Sequence, residues 1–222
     1  VKALVVSGRK ALRVADPAGF AAACREARMG LLADSSPQGL YVTGMAGSIV
    51  PSNEEFALPT RNFQSGSFEA VKGIDHESMK QKIIVGSKGC FGCPMCCGKF
   101  SYVKPRNTYV EGPEYETTAL IGANCALDDI EDVAYANYLC DELGLDTISA
   151  GNAIAFAMEC FERGIIDKSQ TPCLALNFGD ICAVESLVKM IAHREGIGDV
   201  LADGVRRAAQ AWGRGSERFA IQ

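Results

Sequence analysis

Four cysteines fall within eight residues, Cys90-Phe91-Gly92-Cys93-Pro94-Met95-Cys96-Cys97, with Gly98 directly after them. Thiols at this density either bind metal or oxidise, because the thiolate is both the ligand and the nucleophile. The chain must therefore fold a short loop around an occupant. Cys90, Cys93 and Cys97 fit Cys-x2-Cys-x3-Cys, a spacing that sets three sulfurs around one face of an iron-sulfur cube. A complete [4Fe-4S] site takes four ligands, commonly all cysteine. The fourth comes from Cys96, from a distant cysteine, or from a part of the protein outside this chain. Zinc is the competing occupant, since Cys90-x2-Cys93 or Cys93-x2-Cys96 would make half of a tetrahedral thiolate site. A second pair of similar spacing is missing, and His76 and His193 stand alone as surface or satisfied residues. The spacing thus favours iron-sulfur over zinc.

The remaining cysteines ask for a blander account. Cys24, Cys125, Cys140 and Cys160 lie in apolar or helical stretches, where a free thiol behaves as a small buried hydrophobe. Cys173 and Cys182 flank a segment between two helices and are the candidates for a remote ligand. Ten cysteines in 222 residues would suit a secreted disulfide scaffold, but a helix-rich chain of this length carrying the cluster above fits a reducing compartment better. A net charge of -5 without a basic stripe argues against nucleic-acid binding. No apolar run approaches the roughly 20 residues that cross a bilayer. The reading is a cytoplasmic protein without a membrane partner.

Helix signals dominate the chain. Asp16-Pro17 is an N-cap followed by proline at the first helical position, opening a helix to about Arg28 that Gly30 can close. Ser35 to Ser67 is rich in Gly, Pro, Ser and Asn and reads as loop. A short helix from His76 to Ile83 leads into the cysteine loop, and Phe100 to Val103 is a short strand. Asp128 or Asp129 caps a helix ended by Gly144, Asp146 caps the next as far as Arg163, Gly179-Asp180 begins a third, and Asp199 caps a fourth ending before Gly213. The fold class is mainly α, a multihelical domain with one cysteine-rich loop. Val1 to Val6 reads as a short N-terminal strand left from a preceding domain, which marks the chain as a fragment. The expected organisation is a remnant at 1–8, a helical domain at 9–216, and the start of a link at 217–222.

Two further segments bear on chemistry. Asp141-Glu142-Leu143-Gly144-Leu145-Asp146 is a tight turn between helices, explicable as plain helix punctuation. The start of a helix can also hold an anionic cofactor tail while aspartates accept hydrogen bonds from a heterocycle. Glu111-Gly112-Pro113-Glu114-Tyr115-Glu116-Thr117 opens a helix at Pro113. The helix dipole alone accounts for Glu114, whereas Glu116 could serve as a general acid or base if burial raised its pKa.

Read in order, GCFGCPMCCG, EGPEYET and DELGLDTIS resemble the middle domain of the tungsten-containing aldehyde ferredoxin oxidoreductases. Arg61-Asn62-Phe63-Gln64-Ser65-Gly66, Leu120 to Asn124 and Arg194 to Ala202 also resemble that family, so the likeness spans nearly the whole chain. The resemblance implies a tungsten or molybdenum bis-pterin centre that oxidises an aldehyde to the carboxylate, with a nearby [4Fe-4S] cluster passing electrons to ferredoxin. It assigns Cys90, Cys93 and Cys97 to the cluster and leaves Cys96 unligated. It puts the fourth ligand in a later domain, beyond this chain. Asp141, Gly144, Leu145 and Asp146 match the pterin-binding turn, and Glu116 matches a glutamate that handles protons near the metal. Some members bind a metal between subunits through Glu-x2-His, where this chain has Tyr135 and Tyr138, so no bridging metal is expected although a homodimer stays compatible. The fragment then holds one wall of an active site shared with first and third domains of the same protein, and is silent alone. The rivals are a related tungsten reductase subunit for aromatic acyl thioesters and a non-catalytic zinc-binding interaction domain.

Overall fold

The computed structural model describes residues 4–171 and 174–221. Ten α-helices appear among them: α1 (Pro17–Ala33), α2 (Ser35–Thr43), α3 (Ile49–Glu54), α4 (His76–Lys82), α5 (Tyr115–Thr117), α6 (Ile130–Leu143), α7 (Thr147–Glu162), α8 (Ile181–His193), α9 (Ile197–Leu201) and α10 (Val205–Trp212). Three strands, β1 (Ile84–Lys88), β2 (Gly98–Val103) and β3 (Thr108–Glu111), form one antiparallel sheet in the order β1-β2-β3. The mainly α architecture is as the capping signals indicate.

The core is centred on α7. Ala150 to Cys160 of this helix are buried apart from Asn152, and its small residues let neighbours approach closely. α6 and α8 pack on each other and on α7, burying Ile130, Val133 and Leu139 of the one and Val184, Leu187 and Val188 of the other. Phe156 closes the far end, stacking on Trp212 at 5.7 Å between ring centroids with Phe219 beside it. Fully burying one such side chain contributes roughly 1.5–3 kcal/mol.

The caps follow the sequence where an acidic residue precedes a helix. The side chains of Asp16, Asp75, Asp129, Asp146 and Asp180 each accept a backbone N–H from the first turn that they open. Other expectations need correction. α1 runs through Gly30 to Ala33, since one glycine costs a helix only about 1 kcal/mol. The stretch from Ser35 to Ser67 contains α2 and α3, the latter anchored by fully buried Ile49. Glu114, not Pro113, directly precedes α5, which passes into a π-helical segment at Thr118–Gly122. Asp199 lies inside α9, which starts at Ile197, and the expected fourth helix is divided into α9 and α10 before Gly204 at φ 89°. Leu4 to Val6 are exposed and form no strand, and the rest of the expected N-terminal strand lies outside the described residues, as does Cys173. Cys125, Cys140 and Cys160 are buried, whereas Cys24 is exposed. His76 is buried with its Nδ1 unpartnered, so it is neither surface nor satisfied. No helix among the described residues is long and apolar enough to cross a membrane.

Candidate functional site

The cysteine loop is the tip of the β1–β2 hairpin. Pairing of Ser87 with Lys99 and of Lys88 with Gly98 brings the two ends of residues 89–97 together. Within the loop the Cys93 N–H donates to the Cys90 carbonyl at 3.0 Å, and Gly92 and Cys96 take left-handed backbone at φ 73° and 45°. Cys90 and Cys93 are exposed, while Cys96 and Cys97 are half-buried. The Cys96 sulfur turns onto the loop's own backbone: a Cβ added to Gly89 would lie 2.9 Å from it. A Cβ at Gly44 would lie 2.5 Å from the Cys97 carbonyl oxygen, so the end of the loop rests directly on the turn after α2. Opposite, Cys24, Ala27, Arg28 and Leu31 of α1 face Cys93 and Cys96 across a cleft of about 620 Å³. Among the described residues no three His, Cys, Asp or Glu side chains converge on a single-ion site. Dense soft thiolates are the donor set that iron-sulfur clusters require, and the chemistry of the loop fits one.

Behind the loop lies a lysine. Lys99 is 3% exposed, and its Nζ donates to the Tyr41 carbonyl at 2.8 Å and to Ser87 Oγ at 3.4 Å. Burial pushes its pKa down, while Glu114, Cys97 and Cys96 oppose that shift. Glu114 is half-buried, with Oε1 3.6 Å from the position of a Cβ on Gly98, the residue after Cys97. Desolvation pushes its carboxyl up, followed by repulsion from Glu116 and Glu111, and Lys99 pulls it back. Glu116 is exposed in this chain. The half-buried acid of the pair is Glu114, which sequence reasoning had assigned to the helix dipole.

From Glu111 to Thr117 the chain is fastened to the α6–α7 turn by Asn137. Its Nδ2 donates to the Glu111 carbonyl at 3.0 Å and to Asp141 Oδ2 at 3.4 Å, and its Oδ1 accepts from Thr117 Oγ1 at 3.3 Å. The Thr117 and Thr147 hydroxyls share a hydrogen bond of 2.8 Å, which ties α5 to the first residue of α7. At the turn itself Gly144 adopts φ 73°, and the Leu145 N–H donates to the Cys140 carbonyl at 2.8 Å. Asp146 Oδ2 accepts from the Ser149 N–H at 2.7 Å, and the Ser149 side chain, followed by that backbone bond, holds its carboxyl below the usual range. Desolvation, then Glu111 and Glu142, push Asp141 up. The cap therefore engages one of the N–H groups that an anionic tail would use. The hollow lined by Leu145, Asp146, Ser149 and Ala150 holds about 130 Å³, well below the roughly 300–1,000 Å³ of an ordinary ligand pocket. This chain presents a wall with the hydrogen-bonding groups a pterin could use, and does not enclose one.

The structure thus brings the base of the cysteine loop, the Glu111–Thr117 segment and the Asp141–Asp146 turn into one contiguous seam. Lys99 and Asn137 are the members of that seam that sequence reasoning missed. Strand alternation was the available signal for Lys99, which shares the inward face of β2 with Ser101 and Val103. Tyr135 and Tyr138 stack at 6.0 Å, with Arg106 4.3 Å over the Tyr135 ring.

The family described as aldehyde ferredoxin oxidoreductase, domains 2 and 3, matches residues 22–222. Tungsten-containing aldehyde ferredoxin oxidoreductases of Pyrococcus abyssi and Pyrococcus horikoshii are each 39% identical over 226 aligned positions, covering 99% of this chain and 36% of the relative. An aliphatic sulfonate oxidoreductase, WOR-like subunit, of Pyrococcus furiosus is 41% identical over 122 residues, 54% of this chain and 19% of that subunit. Among solved structures, the active site complex BamBC of benzoyl coenzyme A reductase with 1,5-dienoyl-CoA is similar at a TM-score of 0.63 and 25% identity, over 78% of this chain and 27% of that one. The chain spans 36% of the length of the two Pyrococcus aldehyde ferredoxin oxidoreductases above. With a family match from residue 22 to residue 222, the chain belongs to the aldehyde ferredoxin oxidoreductase family.

Proposed function

We propose that this chain is the cluster- and pterin-contacting part of a tungsten or molybdenum oxidoreductase that converts aldehydes to carboxylic acids and delivers the electrons to ferredoxin. The observation that supports this reading is the contiguous seam from Cys97 through Glu114 and Asn137 to Asp141. A redox centre and its electron relay have to be neighbours, and here Glu114 lies beside Gly98, the residue after Cys97, while Asn137 ties the Glu111–Thr117 segment to Asp141. Cys90, Cys93 and Cys97 would hold the [4Fe-4S] cluster, with the fourth ligand supplied by another part of the protein. Asp141, Gly144, Leu145 and Asp146 would bind one edge of a pterin, the carboxylates accepting from ring N–H groups. When bound, the bis-pterin metal supplies the two-electron oxidation, which is the cofactor's own chemistry. The chain's residues would orient and move protons: conversion of an aldehyde and water to a carboxylic acid releases two protons with the two electrons, and Glu116 would accept one at its carboxylate. Desolvation, then repulsion from Glu116 and Glu111, pushes the neighbouring Glu114 carboxyl up.

Reduction of an aromatic acyl thioester is the second reading, favoured by the likeness to the BamBC complex. The first experiment is metal and labile-sulfide analysis of the whole protein, purified anaerobically with all its domains, together with electron transfer to ferredoxin from aldehydes. Tungsten or molybdenum, about four iron per chain and aldehyde-dependent reduction are expected. C90S, C93S and C97S should each lose most of that iron, and C96S should keep it. One zinc per chain without labile sulfide would overturn the reading in favour of a zinc-binding domain, and a metal centre inert to aldehydes would favour the thioester reductase.

A further inference from the structure

Lys99 is not among the ligands or the proton-handling groups, yet it is the most deeply buried cation described in the chain, at 3% exposure. A buried ammonium is costly unless paired. Its two hydrogen-bond partners, the Tyr41 carbonyl and Ser87 Oγ, are neutral dipoles that satisfy donors without cancelling charge. The acid beside it is Glu114, whose Oε1 lies 3.6 Å from the position of a Cβ on Gly98, the residue before Lys99. Its stem is fixed as well: a Cβ on Gly44 would lie 3.2 Å from Lys99 Cε and 2.5 Å from the Cys97 carbonyl oxygen, so ammonium stem, α2 turn and loop backbone are packed together. The Lys99 carbonyl also accepts from the Gly112 N–H at 2.8 Å, which ties the same residue to the segment carrying Glu114.

We propose that Lys99 is a positioning residue whose buried positive charge faces the cysteine loop, setting the reduction potential of the cluster held there and fixing Cys97 against the α2 turn. The inference rests on the cluster assignment made above. Thiolate clusters are anionic, and an electron entering one adds a further negative charge. A fixed cation in a region of low dielectric stabilises that reduced state and raises the potential. Glu114 partly offsets the effect, so the Lys99–Glu114 pair gives the chain a means of adjusting the relay from a position that touches neither iron nor substrate.

The test is a redox titration of the cluster, followed by its electron paramagnetic resonance signal, in the anaerobically prepared whole protein and in its K99M and K99R variants. K99M keeps much of the stem but removes the charge, and its midpoint potential should fall below that of the wild type. K99R restores the charge and should bring the potential back, which a packing role alone would not predict. K99M with full iron content and an unchanged potential would overturn the proposal. Should K99M lose its iron, retention by K99R supports the role of the charge, and loss from both assigns Lys99 to packing and overturns it. A wild-type protein without iron and labile sulfide would instead refute the cluster assignment itself, and the Lys99 role with it.

Discussion

Gly151 offers a test in which local and tertiary reasoning predict opposite signs. It is the fifth residue of α7, well inside the helix, where replacing glycine by alanine ordinarily stabilises by about 1 kcal/mol. In this fold its Cα presses on the π-helical segment that follows α5: an added Cβ would lie 2.6 Å from the carbonyl carbon and oxygen of Leu120 and 2.9 Å from the Ile121 nitrogen. That is about 1 Å inside ordinary carbon contact. The obstruction is backbone, so no rotamer change relieves it, and the cost belongs near the top of the ~1–3 kcal/mol range for overpacking. Subtracting the propensity gain leaves G151A about 2 kcal/mol less stable than wild type. For a chain of this size that lowers the melting temperature by roughly 4–8 °C. Thermal unfolding of the two proteins, prepared identically, decides the matter. A G151A protein as stable as wild type, or more stable by about 1 kcal/mol, would refute the close packing of α7 on Thr118–Gly122, and with it the account of how Thr117 is brought to Thr147.

Asn137 joins Glu111, Thr117 and Asp141, so N137L should take the side-chain donor from the Glu111 carbonyl and one of two partners from the Thr117 hydroxyl, costing about 1–3 kcal/mol in urea denaturation. An unchanged urea midpoint would show that these contacts contribute nothing. His76 carries a pH dependence: burial holds its pKa below the ordinary 6.5, so the fold favours the neutral ring and the unfolded chain binds more protons in acid. The stabilisation is complete above pH 6.5 and declines as pH falls below that value, levelling once the folded ring protonates. Subtracting the stability profile of H76F from that of wild type should isolate this slope, and parallel profiles between about pH 7 and about pH 5 would refute it.

The helical half of the fold was legible because its signals are local. Asp129, Asp146 and Asp180 each precede a hydrophobic run and each caps the helix expected of it, and Gly144 ends α6 in the left-handed backbone that glycine favours. What the sequence did not disclose was set by tertiary partners. α3 lies in a stretch whose composition says loop, yet its Ile49 and the preceding Ala46 are buried against the rest of the chain. Gly204 was hidden within an otherwise continuous helical pattern, and its φ of 89° is a property of the backbone alone. At the site, residue types were readable and burial was not. Glu114 and Glu116 are indistinguishable as letters, and the exposure of one and partial burial of the other follow from how α5 meets Gly98 and Asn137.

The strand β2 decides much of this. A hydrophobic reading of Gly98 to Val103 would turn Phe100 inward, but the aromatic rings of Phe100 and Tyr102 stack with Tyr109 on the outer face, while Lys99, Ser101 and Val103 are buried. A slip of one residue would exchange the two faces and expel Lys99. Four pairs with β3, from Phe100 opposite Glu111 to Val103 opposite Thr108, resist that slip. So do the 2.5 Å hydrogen bond from Ser101 Oγ to the Gly112 carbonyl and the 2.8 Å bond from the Gly112 N–H to the Lys99 carbonyl. Since Cys97 immediately precedes this strand, its placement relative to Glu114 and the α6–α7 turn is fixed by the same register. The geometry of the cysteine loop therefore depends on β3 and on Gly112, which hold the strand that anchors it.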